Sequence, residues 1–65
     1  MKLTLNGRPL ETEPELTVQE LLKRLDLPGR VAVAVNGEVA PRSQHSLRVL
    51  REGDEVEVIQ AVAGG

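Results

Sequence analysis

Only one segment of this 65-residue chain carries the clear apolar period of a helix. Val18, Leu21, Leu22 and Leu25 fall at i, i+3, i+4 and i+7 and make a single stripe, while Gln19, Lys23 and Arg24 fall on the opposite side. Thr17-Val18-Gln19-Glu20 in front of the stripe has the form of a capping box, and Pro28-Gly29 behind it is a stop signal. Most of the other apolar runs alternate at period two. One amphipathic helix has no second helix to pack on, so its stripe must be buried against a face of a β-sheet.

The alternating runs supply that sheet. KLTLN over residues 2–6 places Leu3 and Leu5 on one face, and Asn6-Gly7 then turns the chain back into PLETE over 9–13. Pro9 suits the start or edge of its strand because it has no amide to donate. In RVAVAVN over 30–36, Val31, Val33 and Val35 alternate with Ala32 and Ala34, a strand apolar on both faces. Asn36-Gly37 makes a second hairpin turn, and Glu38, Val39 and Ala40 return as far as Pro41. RSQHSLRVL over 42–50 reads as a short helical turn or irregular crossing with Leu47 and Leu50 buried. Gly53-Asp54 marks a turn before a last strand, EVEVIQ over 55–60. The order is two strands, one helix, two strands and a closing strand. It predicts an α+β, ubiquitin-like β-grasp domain over residues 1–60, a mixed sheet of four to five strands on one main helix, with residues 61–65 as a flexible tail.

Composition narrows the function. Leu, Val and Ile supply twenty residues, and Phe, Trp and Tyr are absent, so the core is aliphatic. Without cysteine the chain has no disulfide, thiolate ligand or thiol nucleophile. A formal net charge of −2 and the missing aromatics argue against nucleic acid as a partner. No apolar stretch approaches the roughly 18 residues of a membrane span, and MKLTLNG turns polar too early for a signal peptide. A soluble cytoplasmic protein is expected. No phosphate-binding glycine loop or metal-ligand spacing occurs, and His45, the one histidine, reads as a surface residue in a polar segment. An enzyme acting alone is not indicated.

The ending supplies another kind of chemistry. Ala63, Gly64 and Gly65 follow the last strand almost directly, and glycine can pass where any side chain would block. Two readings stand: a frayed terminus, or a tail inserted into a partner so that the Gly65 α-carboxylate reaches a reactive centre. Glu55 and Glu57, in an acidic stretch with Glu52 and Asp54, read either as a solvated strand face or as a docking patch for a basic surface. Ala32, Ala34 and Ile59, with Val62 at the base of the tail, form a candidate apolar docking patch; the alternative is ordinary surface.

Across nearly its whole length the sequence resembles the bacterial ThiS sulfur carriers of thiamine biosynthesis. The resemblance is carried by Thr17-Val18-x-Glu20-Leu21-Leu22, by VAVNGEV over 33–39 with Pro41-Arg42 behind it, by Gly53-Asp54, and by Ala61-Val62-Ala63-Gly64-Gly65. It implies that the protein binds no cofactor itself. An E1-like enzyme would adenylate Gly65 with ATP and magnesium, a cysteine desulfurase or other sulfur donor would convert it to a thiocarboxylate, and thiazole synthase would take the sulfur. A Gly-Gly end is shared with carriers for molybdopterin and tRNA thiolation and with ubiquitin-like modifiers; only the internal motif favours thiamine. A plain binding module is the third possibility, against which the lack of a basic face and of aromatics counts.

Overall fold

The structure is a computed structural model that describes residues 1–28 and 30–59. Its elements are β1 (Lys2–Leu5), β2 (Arg8–Glu11), α1 (Val18–Arg24), β3 (Ala32–Val35), β4 (Glu38–Ala40), a short 3₁₀ turn (Arg42–Gln44) and β5 (Glu55–Ile59). The strands form one sheet in the order β2-β1-β5-β3-β4, parallel between β1 and β5 and antiparallel elsewhere. The strand nearest the C-terminus is therefore the central one. The boundary at residue 60 and the tail 61–65 lie outside the described residues.

Both hairpins turn on Asn-Gly pairs with positive φ, 50° and 81° at Asn6-Gly7 and 53° and 81° at Asn36-Gly37, as two-residue turns of this hand require. The turns fix the register, with Leu5 opposite Arg8 and Val35 opposite Glu38. Alternation then sends Leu3, Val33, Val35 and Val56 to the helix side. There they join Leu16, Val18, Leu21, Leu22, Val31 and Leu50 in one aliphatic core.

The capping box is present: Thr17 Oγ1 accepts the Glu20 amide at 3.1 Å, and the Glu20 carboxylate accepts the Thr17 amide at 2.9 Å. Segment 45–48 satisfies the other first-turn amides, since Val18 donates to the Arg48 carbonyl and Gln19 to that of His45, each at 3.0 Å. The helix ends about a turn before Pro28. Asp26, at φ 58°, adopts the left-handed conformation, its amide donates to the Lys23 carbonyl, and the Leu27 amide reaches the Leu22 carbonyl. This is a Schellman closure made with aspartate where glycine is usual, and Leu27 packs back on the core beside it.

Segment 42–50 divides the expectations. The helical turn and the burial of Leu50 are present, but Leu47 is 74% exposed. From Arg48 the chain runs extended and antiparallel to residues 16–18, with Thr17 bridging Val49 and Leu50 donating to the Leu16 carbonyl. Leu47 precedes that bridge, in the turn closed by its amide on the Gln44 carbonyl. His45 is also not a surface residue; it is 4% exposed, and its Nε2 donates to the Ala40 carbonyl at 3.1 Å.

Candidate functional site

The outer sheet face brings together the docking residues proposed from sequence that fall within the described residues. Ala32 stands opposite Ile59 and Ala34 opposite Glu57 in the β3–β5 register, and Glu55 follows two residues before Glu57 on the same side of β5. Ile59 is 62% exposed, Ala32 is exposed and Ala34 half-buried. Val62, Ala63, Gly64 and Gly65 lie outside the described residues.

One residue of this face was missed in the sequence. Val39, 69% exposed, pairs with Ala34 from the β4 side and widens the apolar strip to Val39, Ala34, Ala32 and Ile59. The signal was available: a two-residue turn at Asn36-Gly37 forces Val39 opposite Ala34.

The four acids of segment 52–57 separate into two groups. Glu52 accepts the Lys2 amide at 3.0 Å, and Asp54 accepts the Arg51 amide at 2.8 Å and the Asn36 side-chain amide at 3.0 Å. Those two carboxylates hold turns together. Glu55 and Glu57 are exposed on the outer face beside the apolar strip. Apolar side chains rimmed by acids suit a partner surface that is apolar at its centre and basic at its edge.

Among the described residues no cluster of His, Cys, Asp or Glu could hold a metal ion, and no helix is long and apolar enough to cross a membrane. His45 has its ring nitrogen on a backbone carbonyl, and the Glu20 carboxylate caps a helix. Ile59, the last residue of β5, lies on the rim of this face.

A five-stranded mixed sheet over one helix, with its C-terminal strand central, places the chain among ubiquitin-like β-grasp proteins. SAMP1 from Haloferax volcanii shares that fold with a TM-score of 0.60 at 20% identity, over 98% of this chain and 97% of that one. The chain belongs to the ThiS family, which it matches over residues 3–65. It is 32% identical to the sulfur carrier protein ThiS of Escherichia coli over all of both chains. The crystal structure of the thiamine biosynthesis protein ThiS from Geobacter metallireducens superposes with a TM-score of 0.86 at 36% identity, over all of both chains. All of this chain also matches, at 39% identity, 20% of the length of a thiazole synthase of Magnetococcus marinus.

Proposed function

We propose that this protein is a sulfur carrier for thiazole formation in thiamine biosynthesis, working in the cytoplasm with the Gly65 α-carboxylate as its reactive group. The observation that carries this reading is that the family match runs through the Gly-Gly end to residue 65.

A carboxylate resists nucleophiles because each must add to an anion. Adenylation of Gly65 by an E1-like enzyme, using ATP and magnesium, releases pyrophosphate and leaves a mixed anhydride whose leaving group is AMP. Sulfide from a cysteine desulfurase or other donor displaces AMP directly; a persulfide displaces it to give an acyl disulfide, whose S–S bond a second thiol cleaves by attacking the donor's sulfur, so that donor and thiol leave as a disulfide. The product is a thiocarboxylate with a soft, nucleophilic sulfur, which thiazole synthase accepts. In open water the mixed anhydride would be hydrolysed and the thiocarboxylate misdirected, so the partners must enclose the tail. Ala63 and Gly64 are the residues that enter such an enclosure. The strip of Ala32, Ala34, Val39 and Ile59, with Val62, Glu55 and Glu57, docks the body. Support for thiazole synthase as a partner is that a domain like this one forms a fifth of a protein bearing that name.

The test is the intact mass of the protein after incubation with ATP, magnesium, a sulfur source and extract of its own cells. Replacement of one oxygen by sulfur at Gly65 is expected. An unchanged mass in a demonstrably active extract would leave a binding module, and a ladder of conjugates through Gly65 would indicate a protein modifier.

A further inference from the structure

Lys23 of α1 and Arg42 of the 3₁₀ turn flank a cavity of about 280 Å³ on the helix side of the sheet. Leu22 and Leu27 give it an apolar lining, and Gln19, His45 and Ser46 contribute its uncharged polar part. None of the described residues that line it carries a carboxylate, although the chain as a whole is negative. Its place in the fold follows from the register. Ala32, Ala40 and Ile59 mark one end of the sheet, and Leu27 and Arg42 lie just before Ala32 and just after Ala40 in sequence.

We propose that this cavity binds a small oxyanion carried on a short apolar body, such as a phosphorylated or carboxylated metabolite. Three features favour it. First, both cations that border it are outside the two ion pairs found among the described residues, Arg24 with Glu13 and Arg48 with Glu38, as Lys2, Arg8, Arg30 and Arg51 also are; what sets Lys23 and Arg42 apart is that they flank one cavity. The Glu20 carboxylate, one helical turn before Lys23, feels the Lys23 charge but is hydrogen-bonded to the backbone and side chain of Thr17 instead. Second, the walls are tied together. The buried His45 ring donates to the Ala40 carbonyl, and the His45 carbonyl accepts the Gln19 amide, so the 3₁₀ turn and the helix hold a fixed separation. Third, the volume exceeds what one phosphate group fills, and the space beyond the charges is bordered by leucine. A bare ion would leave that border wet; an apolar substituent would cover it.

This site stands apart from the carrier reading, and the isolated protein tests it. ¹⁵N-labelled protein is titrated with phenyl phosphate, with inorganic phosphate and with chloride at matched ionic strength. Saturable amide shifts confined to Gln19, Lys23, Leu27 and residues 42–46 are expected. Phenyl phosphate should bind about tenfold more tightly than inorganic phosphate, as burial of some 50–60 Å² of apolar surface gives. Lys23→Gln and Arg42→Gln should each weaken binding by about tenfold or more. Both side chains are exposed, so an unchanged remainder of the spectrum certifies the fold. Shifts that chloride reproduces, equal binding of the two phosphates, or undiminished binding in both variants would each overturn the proposal.

Discussion

Asn36 Oδ1 accepts the backbone amide of Glu55 at 2.9 Å, so the turn of the second hairpin is fastened to the first residue of the central strand. The first hairpin repeats the device on the other side, where Asn6 Oδ1 accepts the Val58 amide at 2.9 Å. In each case one residue type meets two demands, a left-handed backbone and a side-chain acceptor within reach of β5. Asn36→Gly keeps the first and loses the second. It should destabilise the domain by about 1–3 kcal/mol, and Asn36→Ala by more, since it adds backbone strain. Urea denaturation of the two variants checks the order.

The core and the surface leucines separate sharply. Leu21 is fully buried under the sheet, and Leu21→Ala should cost about 2–5 kcal/mol. Leu47→Ala, at an exposed turn position, should fall within about 0.5 kcal/mol of wild type. Equal losses at the two positions in denaturant melts would contradict the packing described above.

Acid should weaken the helix start. The Glu20 carboxyl is held below its ordinary value of 4.5, first by the Thr17 amide and then by the Thr17 hydroxyl, with partial desolvation opposing them and Lys23 adding to them. A carboxyl with a lowered folded-state pKa adds stability above its unfolded value, and that stability is lost as pH falls through the folded value. The stability difference between wild type and Glu20→Gln should therefore be constant near neutrality and shrink below about pH 4.5. Thr17→Ala should cost about 1 kcal/mol near neutral pH. Thermal melts between pH 2.5 and 7 test both.

The proposed docking and insertion roles predict separable effects of substitution. Ala32→Arg places a cation and a long side chain on the outer face and should slow thiocarboxylate formation by about tenfold or more, with a thermal midpoint close to wild type. Gly64→Val and deletion of Gly65 should abolish the reaction with equally little effect on stability. Normal turnover in Gly64→Val would show that a narrow passage is not required there.

Most of the fold was legible because its determinants are local. Each Asn-Gly pair sets its own register, the capping box lies within four consecutive residues, and the alternation of Val31, Val33 and Val35 with alanine identifies both faces of β3. What escaped depends on distant groups. His45 is buried because the end of β4 presents the Ala40 carbonyl to it, and nothing near position 45 announces that acceptor. Leu47 and Leu50 look alike in sequence; their fates diverge because residues 48–50 pair with 16–18, a partner far back in the chain. The early helix end rests on Asp26 adopting a conformation that glycine takes more readily. At the candidate site the face itself could be read, and Val39 could have been.

The position of β5 has a mechanical consequence. A strand at the margin of a sheet can be peeled away one hydrogen bond at a time, whereas β5 is held by β1 on one flank and β3 on the other. Tension applied at Ile59 along the strand axis loads both ladders in shear, four paired positions with β3 and two with β1, and these must yield together. A pull on the chain beyond Ile59 is therefore resisted by both neighbours of β5 before the domain behind it can unravel.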